Sequence, residues 1–224
     1  MNNLSYTQKY YMCVVNDDGS TSPWWLEHTT VTACFIVGGI TELLNNGFIV
    51  YDEQENFVVA KPLDDTFSYL KPLYDGIISS DIPKNLRDVA ESFYAQYSEK
   101  HLDKLLLAIG EYLFQNGYVE EVATKTFLSR KTKVKYPPKP EVVTQIIEKI
   151  RFEILEDGVI SDKILCLTAL LDKSGVIDQY FTKEERATLK QRIKDIRNST
   201  TYAKLKDVKC LYDEFGKVHP LGFF

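Results

Sequence analysis

The chain has 224 residues, 44% of them hydrophobic and 12% aromatic, which is ample material for one domain with at most a small appendage. A formal charge of −5 excludes a surface that binds nucleic acid non-specifically as a whole. Cys13, Cys34, Cys166 and Cys210 stand far apart without a C-x-x-C pair, which argues against a zinc or disulfide framework and for reduced thiols in a cytosolic protein.

The first residues, MNNLSYTQKYY, lack the long apolar run of a secretion signal, so a cytoplasmic protein is expected. Leu4 to Val15 reads as a short helix of mixed character, closed by the turn signal Asn16-Asp17-Asp18-Gly19. After Ser22-Pro23-Trp24-Trp25 comes the stretch around which the rest is built, Thr29 to Gly47. Its only charge between Val31 and Leu44 is Glu42. A helix apolar all round is a buried helix, and Asn46-Gly47 followed by Phe48 is a helix stop. The run is shorter than the roughly 20 apolar residues of a membrane span. Gly38-Gly39 inside it is expected to let another helix approach closely.

FIVYD and FVVAK flank Glu53-Gln54-Glu55-Asn56 and predict a β-hairpin. Asp64 to Ser80 reads as helix broken by Pro72. Pro83 is expected to start a helix through Tyr97, with another from Leu102 to Asn116. A second hairpin fits Tyr118 to Tyr136, ended by Pro137-Pro138. Pro140 opens an amphipathic helix in which Val143, Ile146, Ile147, Ile150 and Ile154 recur at helical spacing. Ile164 to Leu171 is nearly all apolar. Thr182 and Glu185 have capping-box spacing ahead of a charged helix to Arg197, and a last helix runs from Tyr202 to Phe215. The fold class expected is mainly α: a single-domain bundle of apolar central helices ringed by amphipathic helices, with two β-hairpins. The core spans about residues 4–200, and a C-terminal helix and tail occupy 201–224.

One phrase recurs, L-x-x-N-G-aromatic-β-branched, within Glu42 to Ile49 and Glu111 to Val119, with weaker echoes at Gly158 and Gly175. It reads either as a repeated Schellman cap or as the entry to the wing of a winged-helix, nucleic-acid-binding module.

The strongest local charge lies in the second hairpin. From Val119 to Pro140, Lys125, Arg130, Lys131, Lys133, Lys135 and Lys139 oppose Glu120 and Glu121, a net of 6 − 2 = +4. Phe127, Leu128, Val134 and Tyr136 are interleaved. Such a ribbon suits an anionic membrane; equally, lysines guard an exposed edge strand against aggregation. Trp24 and Trp25 suit either a recognition platform or an apolar plug over the bundle end. The basic residues of 184–197 suit a phosphate-binding face or a solvated one. His28, His101 and His219 are isolated, and no metal-ligand spacing, nucleophile elbow or phosphate loop is present. No cofactor and no catalysis are expected.

Taken in order, the landmarks are the leading helix with DDG, the Ser–Trp stretch, TELLNNGFI, NGYV with its hairpin, KYPPKP, ILCLTALLDKSGVIDQYF and ERATLKQRIKDI. Together they resemble the Golgi phosphoprotein 3 family over about residues 4–200. The acidic N-terminal arm of eukaryotic members is absent, which points to a bacterial-type member. The resemblance implies a peripheral adaptor that binds phosphatidylinositol 4-phosphate and holds cytosolic tails of glycosyltransferases. It also implies a second hairpin involved in membrane contact and self-association. The family's lipid-pocket tryptophan falls on Trp24 or Trp25, whereas its three arginine positions fall near Ile36, Asp103 and Leu106. Phosphate needs cationic or amide donors, so the family's lipid specificity is not expected to carry over. The expected lipid- or anion-binding residues are Trp24, Trp25, Lys125, Arg130, Lys131, Lys133 and Lys135. The expected partners are an anionic membrane surface, other proteins and a second copy of the chain. A soluble protein–protein scaffold is the remaining alternative.

Overall fold

The computed structural model describes residues 3–16, 28–79, 84–94, 99–125, 132–156, 159–199, 202 and 204–218. Among them are nine α-helices and two antiparallel two-stranded ribbons, so the fold is mainly α.

Three helices form the centre: α1 (Tyr6–Val14), α2 (His28–Asn45) and α7 (Asp162–Lys173). Every residue of α1 is buried, as is each residue of 31–43 in α2 and 164–171 in α7. Tyr10 of α1 meets Phe35 of α2 edge to face at 4.8 Å, a geometry that aromatic quadrupoles favour. The two glycines in α2 do bring neighbours close. A Cβ on Gly38 would lie 2.9 Å from Thr7 Oγ1 of α1 and 3.3 Å from Leu170 Cδ1 of α7. On Gly39 it would lie 2.4 Å from Leu73 Cδ1, in α3 (Lys71–Ile78).

Around this centre run α3, α4 (Leu86–Tyr94), α5 (Glu99–Gln115), α6 (Pro140–Ile150), α8 (Lys183–Arg197) and α9 (Lys206–Val218). Each presents an apolar stripe inward. Val142, Ile146, Ile147 and Ile150 are buried in α6, and Leu189, Ile193 and Ile196 in α8. The capping box of Thr182 and Glu185 forms as expected. In α9, Val208, Leu211 and Phe215 are buried. The contact between α9 and α2 is the most extensive between helices.

Several boundaries differ from expectation, each for a local reason. Within 64–80 a 3₁₀ turn, Asp65–Leu70, precedes α3, and Pro72 stands in the first turn of α3, where its missing N–H costs nothing. Helix α4 starts at Leu86 because Asn85 and Asp88 cap each other: the Asp88 amide donates to Asn85 Oδ1 at 3.0 Å. Pro83 and Tyr97, its expected ends, lie outside the described residues. Helix α9 begins at Lys206 rather than Tyr202. Its first-turn amides of Asp207 and Val208 donate to the Asp162 carboxylate of α7, both at 3.0 Å. Helix α6 continues into a π turn, Arg151–Leu155, which keeps Ile154 buried while leaving Phe152 58% exposed.

The recurring N-G phrase is a Schellman cap. Gly47 and Gly117 have φ of 68° and 78°, the left-handed region that glycine enters at least cost. The amides of Phe48 and Tyr118 donate to Leu43 and Leu113 carbonyls at 2.9 and 3.0 Å. The asparagine before each glycine adds a side-chain bond, from Asn46 to the Glu42 carbonyl and from Asn116 to the Tyr112 carbonyl, both 2.8 Å. Each cap leads into a ribbon: β1 (Ile49–Tyr51) with β2 (Phe57–Val59), and β3 (Val122–Lys125) with β4 (Thr132–Lys135). Gly175 also has positive φ, and there Ser174 Oγ donates to the Leu170 carbonyl at 2.8 Å. Gly158 lies outside the described residues.

Candidate functional site

The β3–β4 hairpin carries the charge noted in the sequence, and its root is tightly held. Above the Gly117 cap, Val119 bridges Pro138, and the Glu120 amide donates to the Pro137 carbonyl at 2.9 Å. Tyr136, at the end of β4, is buried and lies over Gly110 of α5. A Cβ at Gly110 would come within 2.6 Å of Tyr136 Cδ2 and 2.8 Å of Tyr11 Oη, so only glycine lets the ring lie down. The Tyr11 hydroxyl donates to the Tyr136 carbonyl at 3.0 Å, tying the hairpin to α1. Phe114 lies against the Tyr136 ring at 5.7 Å. Of the six hairpin cations, Lys139 belongs to this root: its ammonium donates to the Gly117 carbonyl at 2.8 Å.

The register pairs Val122 with Lys135, Ala123 with Val134, Thr124 with Lys133 and Lys125 with Thr132. Alternation of faces then sets positions 133 and 135 on one side of the ribbon and position 125 on the other. Val122 and Val134 are exposed, 38% each, and Lys135 is half-buried. For Lys125 and Lys133 only the backbone is placed. Trp24, Trp25, Arg130 and Lys131 lie outside the described residues, as do Phe127 and Leu128.

The positions where family arginines were matched are unlike a phosphate site. Ile36 is fully buried in α2, Asp103 is exposed and Leu106 is half-buried on α5. The basic helix α8 spends part of its charge internally: Arg186 pairs with Asp178, and Lys190 with Asp172 at 3.2 Å. Two clefts of ≈ 540 and ≈ 490 Å³ flank Ser68 and Lys71, and both are mixed in charge, with Asp64 and Asp65 in one and Asp75 and Glu111 in the other. Among the described residues no group of three or more His, Cys, Asp or Glu could hold a metal ion. Among the same residues no helix is long and apolar enough to cross a membrane.

Three buried polar groups escaped the reading of the sequence. Glu42 accepts the Thr7 amide at 2.9 Å and the Tyr69 hydroxyl at 2.5 Å. Burial raises its carboxyl above the ordinary range, and those two donors partly offset the rise. Glu153, in the π turn, accepts the amide and hydroxyl of Ser161 at 2.8 and 2.7 Å. Lys9 is buried in α1. Glu42 alone had a signal, as the one charge in an apolar helix.

A family model described as Golgi phosphoprotein 3 (GPP34) matches residues 12–214. The chain belongs to the Golgi phosphoprotein 3 family. No curated protein matches it. The match takes in the three-helix centre except the first two-thirds of α1, together with both ribbons and most of α9.

Proposed function

We propose that this Golgi phosphoprotein 3 family member is a non-catalytic peripheral adaptor that rests on anionic membrane through the β3–β4 hairpin. The observation that supports it most is a cationic ribbon on a buried root, with Tyr136 packed over Gly110 and bonded to Tyr11. Such a root holds the ribbon in one attitude, so the face that carries positions 133 and 135 would meet a flat surface as a unit. Each basic residue near an anionic leaflet contributes about 1 kcal/mol, so a net +4 contributes about 4 kcal/mol, roughly a thousandfold partition. That suffices for weak, salt-sensitive attachment and falls short of stable anchoring.

The attachment reads charge rather than a particular head group. The position of the family's central-helix arginine is an isoleucine inside the core, and Asp103 on α5 repels phosphate. Trp24 and Trp25 would add interfacial contact, and a protein partner would be recruited by the attached molecule.

Co-sedimentation with neutral and anionic liposomes, with and without phosphatidylinositol 4-phosphate, at two salt concentrations, tests this. Binding to all anionic vesicles that fades with salt, and disappears in the double variant Lys131→Glu/Lys133→Glu, is the expected result. Unchanged binding by that variant would remove the hairpin as the site, and a clear preference for the phosphoinositide would restore a specific pocket. Titration with duplex DNA at low salt is expected to be flat.

A further inference from the structure

A cleft of ≈ 250 Å³ opens where the start of α1, the end of α2, the 3₁₀ turn Asp65–Leu70 and α5 come together, and the first turns of α7 and α9 reach its edge. The acids of the two clefts beside Ser68 are all exposed. Here the polar lining is deep: Gln8, Glu42 and Tyr69 are 2%, 3% and 2% exposed.

Buried polar groups are normally saturated with partners, and these keep capacity in hand. Gln8 Oε1 accepts the Ser5 amide at 2.9 Å, while the side-chain nitrogen has no acceptor among the described residues. Each Glu42 oxygen takes a single donor, the Thr7 amide or the Tyr69 hydroxyl, and a carboxylate oxygen has room for two. Asp207, half-buried, makes no side-chain hydrogen bond or ion pair among the described residues, although Lys163 stands in the same lining.

Unused donors and unused acceptors thus share one small space. A cation would meet Lys163, and an anion would meet two carboxylates. A hydroxyl both donates and accepts, so it suits both kinds of group. One wall is aromatic: the Phe67 and Tyr69 rings are stacked at 6.1 Å, and Tyr112 meets Tyr69 at 5.2 Å. Such a wall takes an apolar C–H face, and the Tyr112 hydroxyl offers a polar tip beside it. The volume lies below the roughly 300–1,000 Å³ of drug-sized sites, which limits the occupant to one small ring.

We propose that this cleft binds a single neutral sugar ring, either a free monosaccharide or the terminal residue of a glycan. The Gln8 side-chain nitrogen donates to its hydroxyl oxygens, Glu42 and Asp207 accept its hydroxyl protons, and its C–H face lies on Tyr69 and Tyr112. No residue is shared with the β3–β4 hairpin and no membrane enters the test, so this site and the adaptor reading fail separately.

Calorimetric titration of the full chain with glucose, galactose, mannose and N-acetylglucosamine is the measurement. At least one is expected to bind with about millimolar affinity, as befits so few non-hydrogen atoms. Gln8→Glu keeps the acceptor for Ser5 and the capping box but removes the unused donor. It is expected to unfold near the wild-type Tm and to weaken the bound sugar about tenfold. Asp207→Asn leaves the backbone bond to Asp162 in place and is also expected to weaken it about tenfold. Should none of the four sugars bind, or should both variants, folded, bind as wild type does, the site is wrong.

The methyl glycoside of the bound sugar separates the two sources, because its methyl group stands where the next residue of a glycan would. Affinity equal to that of the free sugar identifies a terminal residue. Binding of the free sugar alone identifies a soluble monosaccharide.

Discussion

Glu42 lies inside the apolar face of α2 with 3% of its surface exposed, and each carboxylate oxygen has one donor, the Thr7 amide or the Tyr69 hydroxyl. Burial holds its folded pKa above the ordinary carboxylate range. Its contribution to stability is therefore full below that range and is lost as pH rises through the folded pKa. Glu42→Gln keeps an acceptor for Thr7 and removes the titration. It is expected to stay within about 1 kcal/mol of wild type at neutral pH and to lose the fall in stability that Glu42 gives as pH rises above the ordinary carboxylate value of 4.5, read from urea unfolding. Glu42→Leu strands both donors in the core and is expected to cost about 2–4 kcal/mol. Equal stability of the two variants would mean that neither donor needs its partner. Lys9 gives a slope of opposite sign: because its pKa is lowered, stability rises with pH from about 8 towards 10.5, and Lys9→Met is expected to flatten that rise. The sequence made Glu42 conspicuous as a lone charge but hid its partners, which lie 35 and 27 residues away. Lys9 was invisible, because a nine-residue helix of mixed polarity gives no sign that all its faces are covered.

At the scale of elements, the close approach at Gly110 sets how firmly the basic hairpin is held. Gly110→Ala must push Tyr136 off α5 and crowd the Tyr11 hydroxyl, at a cost of about 1–3 kcal/mol. Hydrogen exchange is expected to quicken in β3 and β4 well before it does in α2 or α7. Uniform loss of protection would show instead that the hairpin and the bundle open as one unit. Sequence patterns located both ribbons, the N-G caps and the capping box of α8, since these depend on neighbours within a few residues. They missed the starts of α4 and α9, because the decisive caps are an unpatterned Asn85–Asp88 pair and a carboxylate 45 residues away. The π turn at Arg151–Leu155 has no periodicity of its own. It follows from Arg151 reaching Glu185 at 2.9 Å and the Tyr180 carbonyl at 2.7 Å.

For the molecule as a whole, α9 closes the bundle rather than decorating it. Val208, Leu211 and Phe215 are buried, the helix lies along α2, and Tyr51 of β1 donates to the buried carboxylate of Glu214 at 2.5 Å. A chain ending at Ser199 would leave one side of α2 open to water and the Asp162 carboxylate without its two amides. Burying an aromatic or branched side chain is worth about 1.5–3 kcal/mol. Losing three of them approaches the 5–15 kcal/mol typical of a whole domain. Such a truncation is expected to lose cooperative thermal unfolding and bind a hydrophobic dye; a sharp transition near the wild-type Tm would show α9 to be dispensable. Two of the three central helices were legible from sequence because apolar stretches announce α2 and α7, whereas α1, of mixed polarity, did not announce its place. Which amphipathic helix would lie along which face was not legible either, since any of the six outer stripes is apolar enough to cover α2.

The caps lent between distant helices also set a timetable for synthesis. Helix α1 leaves the ribosome first, yet its Thr7 amide waits for Glu42, and the Cys13 carbonyl waits for the Tyr180 hydroxyl, 167 residues later. At about 5–20 residues per second that second wait lasts roughly 8–33 s. Throughout it the side of α1 that α7 covers stays open, and a holding chaperone would have a natural client in this chain until α7 and Tyr180 are made.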